Sequence, residues 1–392
     1  AVLAPAALAL LGALQGGRPA AQPAWVAPNG DGSGGGRRLR SGARTAVASA
    51  TLGSTEDLAL LESRYGAVDP PSYPGRVEDG FWSWRDYTVR FQHYPAAGGS
   101  SRGVALLIHG FGGNAEHWRK NAPSLAAAGF EVYAIDLLGY GFSSKPDPRT
   151  TLPLTLDPSM PERFYNIHMW AEQQAAFLQE VCGVGPGKRH ESALVITNSI
   201  GSSVGLQLAV EFPHLVKAAF LLDPSLRMLH VKNQAPWEKP FVPAVQWVLR
   251  ETSLGDWFFG AVAKPQTVQT ILRVIYPAKP EAVDDELVDC ILKPGLSSPN
   301  ATRVFMDFIS YSAGPLIQDQ LASLGRDQGR AAVWIGWGTA DPWEPMEAGR
   351  KLYGDLKAVE RFQELPLLGH CPMDEAPEVV NPYLLEFLET FA

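Results

Sequence analysis

Residues 194–201 read LVITNSIG, and this stretch decides the fold. An apolar run typical of a buried strand leads to Ser199, and small residues follow where a helix can begin. A sharp turn between such a strand and helix holds the serine in a strained backbone conformation. The positions two residues before and after the serine must then be small. Gly201 meets that requirement, and Thr197 is the larger of the two neighbours. The pattern predicts a strand, a sharp turn with Ser199 at its tip, and a helix.

Apolar runs of the same kind recur along the chain. They are nearly continuous, which is typical of strands buried on both faces of a parallel sheet. The runs cover 104–109, 130–135, 193–198, 218–222 and 331–337, with a strand pair or hairpin arm expected at 84–94 and a last strand at 361–365. Helix-like segments follow the pattern at 116–128, 167–181, 200–212 and 377–391. Alternating strands and helices predict βαβ units and a doubly wound sheet.

The motifs at the ends of three predicted strands resemble those of the α/β-hydrolases. The turn at Ser199 resembles the nucleophile elbow of that family, whose pattern is G-x-S-x-G, with Thr197 in place of the first glycine. Residues 109–113 (HGFGG) resemble its oxyanion loop, and residues 136–143 (DLLGYGFS) match its D-x-x-G-x-G-x-S loop. The resemblance runs from about Trp82 to Ala392. It implies an α/β-hydrolase fold, in which a mostly parallel, doubly wound sheet has a helical cap insertion.

The resemblance also implies roles for residues within these loops. A tetrahedral intermediate develops a negative oxygen that needs two preorganised donors. The family positions imply that these donors are the backbone N–H groups of Phe111 and Ile200. We interpret His109 as a packing and hydrogen-bonding residue of its loop. Asp136 precedes the serine, whereas the catalytic acid of this fold follows it, so we interpret Asp136 as a hydrogen-bonding residue of its loop as well.

A nucleophilic serine needs a base, because its hydroxyl is hardly ionised near neutral pH. The candidate is His370, the only histidine near the C-terminus. It lies in the sequence GHCP at 369–372, after the predicted last strand and before the last helix, where the family places its base. We therefore predict that His370 deprotonates Ser199.

The acid that orients His370 has two candidates. Asp341 follows the predicted strand at 331–337 and gives the family order of serine, acid and histidine. Asp223 ends the strand after the elbow and is the alternative, since some relatives use that position. Asp374 and Glu375 are too close to His370 along the chain to orient it easily, and we interpret them as a solvated helix start.

The nucleophile determines the expected reaction. Haloalkane dehalogenases and epoxide hydrolases have a similar overall pattern but an aspartate where this chain has Ser199, so the serine implies acyl transfer. We predict a carboxylic ester hydrolase that needs no metal and no organic cofactor. Two alternatives remain open. The same triad serves cofactor-free haloperoxidases and C–C bond hydrolases, and some proteins of this fold bind ligands without catalysis.

The composition limits the kinds of molecule and metal ion that we expect the protein to bind. The 392 residues contain 33 Lys plus Arg and 41 Asp plus Glu, and the net charge of -8 argues against nucleic-acid binding. The three cysteines, Cys182, Cys290 and Cys371, are too widely spaced for a metal knuckle or a redox pair, so we expect free thiols. The eight histidines lack metal-binding spacing, and we expect no structural zinc.

The first 55 residues differ in composition from the rest. They hold five Arg and one acidic residue, a charge of 5 − 1 = +4, whereas the remainder has 28 − 40 = -12. The apolar run 1–14 is too short to span a bilayer but fits a signal-peptide core, and the Arg- and Ser/Thr-bearing stretch after it fits a transit peptide. We predict a targeting leader at 1–55, the alternative being an extension without an address. The remaining predicted boundaries are 56–224 and 309–392 for the hydrolase core and 225–308 for the helical cap.

Three less generic segments give a narrower resemblance. Residues 225–230 (SLRMLH), 341–345 (DPWEP) and 369–375 (GHCPMDE) resemble plastid α/β-hydrolases of plants and algae, the group related to pheophytinase and chlorophyll dephytylase. The resemblance implies a plastid location and a lipophilic substrate such as a phytyl ester. It also allows peripheral membrane contact without a transmembrane span. Aromatic residues of the cap would either wall such a pocket or pack the cap onto the sheet: Trp237, Phe241, Trp247, Trp257, Phe258 and Phe259.

Overall fold

A computed structural model describes residues 77–235, 237, 239, 241–326 and 331–392 of the chain. The predicted leader, residues 1–55, lies outside the described residues. The first part of the predicted core segment, residues 56–76, does so too. Predictions for these stretches therefore stay predictions.

The described residues form one twisted sheet of eight strands. In chain order they are β1 (Glu78–Trp84), β2 (Tyr87–Tyr94), β3 (Val104–Ile108), β4 (Glu131–Ile135), β5 (Ala193–Asn198), β6 (Val216–Leu222), β7 (Ala332–Gly338) and β8 (Val359–Leu365). The spatial order is β1-β2-β4-β3-β5-β6-β7-β8. Strands β3 to β8 pair in parallel, and β1 and β2 run antiparallel at one edge. This confirms the predicted mostly parallel sheet of the α/β-hydrolase fold.

The helices follow the strands in the alternation that the sequence predicts. They are α1 (Ala122–Ala127), α2 (Ile167–Glu180), α3 (Gly201–Glu211), α4 (Val242–Glu251), α5 (Ser253–Val262), α6 (Pro265–Ile275), α7 (Asp285–Gly295), α8 (Ala301–Ile309), α9 (Ile317–Leu324), α10 (Met346–Tyr353), α11 (Pro372–Glu375) and α12 (Pro377–Phe391). Two short 3-10 helices cover Ala115–Trp118 and Pro280–Ala282. Helices α2, α3 and α12 match the predicted segments to within one residue at each end.

One local prediction needs correction, and another is confirmed. The helix expected at 116–128 is a 3-10 turn followed by the short helix α1, because Pro123 lies in the first turn of α1 and a proline cannot continue a helix through its interior. The strand pair or hairpin arm expected at 84–94 is confirmed as the second strand of a hairpin, and the first strand, Glu78–Trp84, ends where the predicted segment begins. Arg85 and Asp86 form its two-residue turn with φ of 47° and 68°, the left-handed geometry that matches the twist of paired strands.

The central strands are covered on both faces, which explains their continuous apolar runs. Leu106 and Ile108 of β3 pack in one cluster with residues of α2 and α3. Ala105 and Leu107 of the same strand point to the other side and pack with residues of α1 and α12. Because every position of β3 is buried, a run without polar alternation is the expected sequence.

A helical segment joins β6 to β7 and covers one end of the sheet. It contains α4 to α9, and the predicted cap at 225–308 falls within it. The buried ion pair between Arg163 and Asp307 ties α8 to the segment that precedes α2. The domain boundaries at 224 and 308 stay predictions. Among the described residues, every helix falls short of the length and apolar character that a bilayer crossing requires.

Candidate active site

Ser199 lies in the sharp turn between β5 and α3. Its φ is 54°, in the left-handed region that non-glycine residues rarely adopt. Two glycines let the backbone pass close to this turn. A Cβ at Gly110 would lie 2.9 Å from Ser199 Cβ, and one at Gly201 would lie 2.5 Å from the His109 carbonyl oxygen. The strained serine and its small neighbours therefore have the geometry that the sequence predicts.

Thr197, the departure from the family glycine, is accommodated by a glycine one turn into α3. A Cβ built at Gly205 would lie only 2.7 Å from Thr197 Cγ2, so the methyl group occupies space that any larger residue at 205 would need. Thr197 Oγ1 is 2.9 Å from Ser202 Oγ and donates to the Phe220 carbonyl at 3.4 Å. The threonine thus adds hydrogen bonds within the elbow and does not disturb it.

Three predicted residues meet beside this turn. His370 Nε2 lies 2.9 Å from Ser199 Oγ, and His370 Nδ1 lies 2.7 Å from Asp341 Oδ2. All three residues are buried, with Ser199 8%, Asp341 7% and His370 4% exposed. With Nδ1–H donating to the carboxylate, Nε2 presents its lone pair to the serine hydroxyl. The arrangement can take a proton from Ser199 and return it.

The surroundings of His370 raise its affinity for a proton. Burial alone lowers the pKa of His370, but the Asp341 carboxylate and, secondarily, Glu344 outweigh it and raise the pKa above its usual 6.5. The Trp343 ring lies 5.2 Å from the His370 ring, centroid to centroid, and covers the imidazole. The imidazolium that forms during proton transfer is therefore stabilised by two carboxyl groups.

Asp223, the alternative acid, lies close to Asp341, and its hydrogen bond is made away from His370. Asp223 Oδ1 accepts from the Gly338 N–H at 2.8 Å, and the side chain is fully buried. Burial and the neighbouring Asp341 charge raise the pKa of Asp223 well above its usual range. Asp341 Oδ1 accepts from the backbone N–H groups of Trp343 at 2.8 Å and Glu344 at 3.0 Å, and its Oδ2 lies 2.7 Å from His370 Nδ1. The structure thus brings Asp341, and not Asp223, to His370.

The predicted oxyanion residues flank the serine. Ile200 directly follows Ser199 at the start of α3, and Phe111 lies in the loop after β3. Both line the same cavity as Ser199 and His370. The Phe111 ring is stacked on Phe308 with centroids 5.0 Å apart, which fixes the loop against the helical segment. The assignment of their N–H groups as oxyanion donors stays a prediction.

The loop residues interpreted as structural have the expected contacts. His109 Nδ1–H donates to the Gly110 carbonyl at 2.7 Å, and Nε2 accepts from the Leu137 N–H at 3.1 Å. Burial lowers the pKa of His109 to about 4, so it is neutral. Asp136 is fully buried and accepts from the N–H groups of Ala115 and Phe142, each at 2.7 Å. Both side chains join the loops around the site.

Two residues near the site were not singled out from the sequence. Asn198 Nδ2 donates to the carbonyls of His370 at 3.0 Å and Leu222 at 3.2 Å, which ties the elbow strand to the histidine loop. Glu344 accepts from the Ser225 hydroxyl at 2.9 Å and the Leu226 N–H at 3.1 Å, and it lines the cavity. Burial raises the pKa of Glu344 to about 7. One sequence signal could have indicated Glu344. Both Glu344 and its partner Ser225 lie in segments that carry the narrower family resemblance, 341–345 and 225–230.

The interpretation of Asp374 and Glu375 as a solvated helix start is wrong. The two side chains are 0% and 1% exposed. Asp374 pairs with Arg119 at 2.7 Å and accepts from the Tyr276 hydroxyl at 2.9 Å. Glu375 accepts from the Gly369 N–H at 2.7 Å, directly before His370. Both residues therefore help to hold the loop that carries His370 in place.

A cavity of about 430 Å³ lies beneath the helical segment and reaches Ser199 and His370. Its lining is mainly aliphatic and aromatic, from α4 to α8 and from Phe111 and Tyr140 on the sheet side. Of the aromatic residues expected to wall a pocket or pack the cap, Phe258 and Phe259 line the cavity. That expectation is wrong for the other four, which are largely exposed: Trp237, Phe241, Trp247 and Trp257.

When the sequence is compared with known protein families, one family matches most of the chain. The family described as "Alpha/beta hydrolase family" matches residues 105–382. This range includes the turn at residue 199 and the residues at positions 341 and 370. The match agrees with the sheet order and with the position of the elbow.

Among curated proteins, the chain is 26% identical over 368 residues to "Pheophytinase, chloroplastic" of Arabidopsis thaliana, covering 85% of this chain and 73% of the relative. It is 24% identical to the "Uncharacterized hydrolase YugF" of Bacillus subtilis (strain 168), covering 77% of this chain and 94% of the relative. Among solved structures, an alpha/beta hydrolase fold protein from Burkholderia ambifaria superposes with a TM-score of 0.57 at 20% identity, covering 80% of this chain and 99% of that chain. This structural likeness shows the fold.

Proposed function

The chain belongs to the alpha/beta hydrolase family, and we propose that it is a serine hydrolase that cleaves a carboxylic ester through an acyl-enzyme on Ser199. The observation that supports this most directly is the position of His370, with Nε2 2.9 Å from Ser199 Oγ and Nδ1 2.7 Å from Asp341 Oδ2. A serine, a base and an orienting acid in hydrogen-bonded order are the parts that nucleophilic catalysis requires.

The first half-reaction forms the acyl-enzyme. His370 Nε2 takes the proton from Ser199 as Oγ bonds to the ester carbonyl carbon, and the carbonyl oxygen becomes negative. The N–H groups of Phe111 and Ile200 stabilise that oxygen. The carbon–oxygen bond to the alcohol then breaks, and His370 gives its proton to the departing alcohol.

The second half-reaction releases the acid. His370 takes a proton from water, and the resulting hydroxide adds to the acyl carbon. The bond to Ser199 Oγ breaks, His370 returns the proton to Oγ, and the carboxylic acid leaves. Every proton taken is given back, so the cycle needs no metal or organic cofactor.

The proposed substrate is a lipophilic ester, with a phytyl ester as the specific candidate. The apolar lining of a cavity of about 430 Å³ supports a long hydrocarbon chain, since each buried CH₂ contributes roughly 0.8 kcal/mol. The likeness to a protein named pheophytinase supports the phytyl ester, and that name's "chloroplastic" supports a plastid location together with the composition of residues 1–55.

The test is the specificity constant, kcat/KM, for aryl esters of increasing acyl length, measured beside pheophytin. We expect kcat/KM to rise as the acyl chain lengthens from acetyl to dodecanoyl, and we expect pheophytin to release phytol. Flat or falling values with no phytol released would contradict the lipophilic substrate and leave a general esterase. Cleavage of β-diketones without ester cleavage would contradict the ester hydrolase itself.

A further inference from the structure

Tryptophan exposure is concentrated in one segment of the helical insertion. Trp237, Trp247 and Trp257 are 56%, 57% and 64% exposed. All other tryptophans among the described residues are buried or partly buried. Phe241 and Leu254, in the same segment, are also largely exposed. Since a side chain as large and apolar as tryptophan is normally mostly covered, the segment 237–257 has an unusual outer surface.

The two helices of this segment form one tightly packed unit. Thr252 follows α4 directly and caps α5, its Oγ1 accepting from the Leu254 N–H at 3.3 Å. A Cβ at Gly255 would lie 1.9 Å from the Leu249 carbonyl oxygen, so the two helix backbones touch there. Trp247 on α4 and Trp257 on α5 are therefore held on a defined scaffold.

The same helix pair forms a wall of the substrate cavity. Val245 and Leu249 of α4 line the cavity, as do Phe258 and Val262 of α5. Trp247 is two residues from both Val245 and Leu249, which places it about 200° around the helix from each, on the outer side. One side of the pair thus faces the cavity, and another presents tryptophan to the outside.

The chemistry of this outer surface fits a lipid interface. Tryptophan combines a large apolar ring with one N–H donor, and it is enriched where hydrocarbon meets lipid headgroups. The segment 232–264 has four basic residues (Lys232, Lys239, Arg250, Lys264) and three acidic ones (Glu238, Glu251, Asp256), a charge of 4 − 3 = +1 in a chain of -8. The segment that carries the tryptophans is therefore close to electrically neutral, so an anionic lipid surface would repel it little.

We propose that the exposed apolar side chains of this segment, Trp237, Phe241, Trp247, Leu254 and Trp257, here called the aromatic face, dock on a lipid bilayer. The physical reason rests on the proposed function, because a long-chain ester resides in the membrane and must enter the cavity from it. Docking by the wall of the cavity keeps the distance between the bilayer and Ser199 short. The bilayer covers the exposed rings, and the protein stays peripheral.

The experiment is flotation of the full chain with phosphatidylcholine vesicles, with and without brominated acyl chains that quench tryptophan. We expect the wild type to float with the vesicles and to lose tryptophan fluorescence on brominated lipid. In the Trp247→Ser/Trp257→Ser double variant, we expect the affinity to fall by about tenfold or more and most of the quenching to disappear. The matched control is Phe81→Ser, an aromatic residue 65% exposed on β1, which should behave as wild type.

Three outcomes would overturn the docking proposal. One is equal flotation and equal quenching of the wild type and the double variant at equal melting temperature. Another is that the wild type itself does not float with the vesicles. The third is a wild type that is dimeric without lipid and a double variant that is monomeric, because a second copy would then cover the aromatic face.

A soluble short-chain ester separates this proposal from the proposed function. Neither Trp247 nor Trp257 lines the cavity, so the double variant should hydrolyse that ester at the wild-type rate. A wild type that floats but cleaves no ester would contradict the proposed function and leave the docking intact. A double variant that loses short-chain hydrolysis would overturn the assignment of these residues to docking alone.

Discussion

At the scale of single residues, the two carboxyl groups considered for orienting His370 differ in their hydrogen-bond partners. Asp341 accepts two backbone N–H groups and lies 2.7 Å from His370 Nδ1, whereas Asp223 is fully buried with a pKa raised well above its usual range by burial and by the Asp341 charge. Asp223 supports the end of β7 by accepting from the Gly338 N–H.

This difference predicts opposite results for two matched variants. Asp341→Asn should lower kcat on the order of 10⁴-fold, because the amide favours the wrong tautomer of His370. Asp223→Asn should keep activity within about tenfold, since a neutral amide oxygen still accepts from the Gly338 N–H. Steady-state kinetics on both variants checks this. An active Asp341→Asn beside an inactive Asp223→Asn would show that the acid is Asp223.

Glu344 predicts a change in pH dependence. His370 acts as a base only when neutral, so kcat/KM rises with pH through the pKa of His370. The Glu344 charge helps to raise that pKa, and Glu344→Gln removes it. The acidic limb of the kcat/KM profile should therefore move to lower pH, by up to about one unit. The profile is measured with a short soluble ester. A limb that stays in place or moves to higher pH would contradict the coupling.

At the scale of elements, the β5–α3 elbow depends on close packing between Thr197 of β5 and Gly205 of α3. Gly205→Ala would place a methyl group 2.7 Å from Thr197 Cγ2, and overpacking of this kind costs about 1–3 kcal/mol of unfolding free energy. Thr197→Gly should keep activity. In the Thr197→Gly background, Gly205→Ala should lower the unfolding free energy by less than it does in the wild type. Urea unfolding of the two single variants and the double variant measures this coupling.

A larger residue at position 197 tests the same elbow from the other side. Thr197→Leu should clash with the helix and inactivate the enzyme, because the added carbon atoms need the space beside Gly205. Full activity of the Leu variant, or equal costs of Gly205→Ala in both backgrounds, would mean that the elbow does not have this packing.

The elements that could be predicted from sequence are those whose pattern reflects local physics. The run at 193–198 predicts β5 because two-sided burial removes polar alternation, and helix α3 follows from the small residues after Ser199. Asp374 and Glu375 were misinterpreted because their partners are remote. Arg119 precedes Asp374 by 255 residues, and charged residues at a helix start usually face water. The outward direction of Trp247 was equally hidden, since an aromatic residue is normally expected to pack.

At the scale of the whole molecule, the chain divides its charge between a basic first segment and an acidic remainder. Residues 1–55 lie outside the described residues, and their prediction as a plastid leader rests on sequence alone. Residues 1–55 fused to a fluorescent protein should direct it to plastids in an algal or plant cell. The control is the same segment with its five arginines replaced by glutamine. Fluorescence confined to the cytosol would contradict the leader, as would an unchanged pattern in the control.

The fold brings together residues of the candidate active site that are distant along the chain. Asn198 links the elbow to the carbonyl of His370, and Glu375 holds the N–H of Gly369 from the other side. Because β5, β7 and β8 are neighbours or near neighbours in a parallel sheet, the loops at their carboxyl ends meet at one edge. The sequence order of Ser199, Asp341 and His370 therefore predicts their meeting, while the supporting contacts come only from the folded chain.

The central claim is that Ser199 is the nucleophile, and covalent labelling with a fluorophosphonate tests it most directly. Intact-mass spectrometry should show one added phosphonyl group per chain, peptide mapping should place it on Ser199, and ester hydrolysis should fall in proportion to labelling. Ser199→Ala should take no label and lose at least ~10³-fold in turnover. Labelling of another residue, or full hydrolysis by a fully labelled chain, would contradict the account.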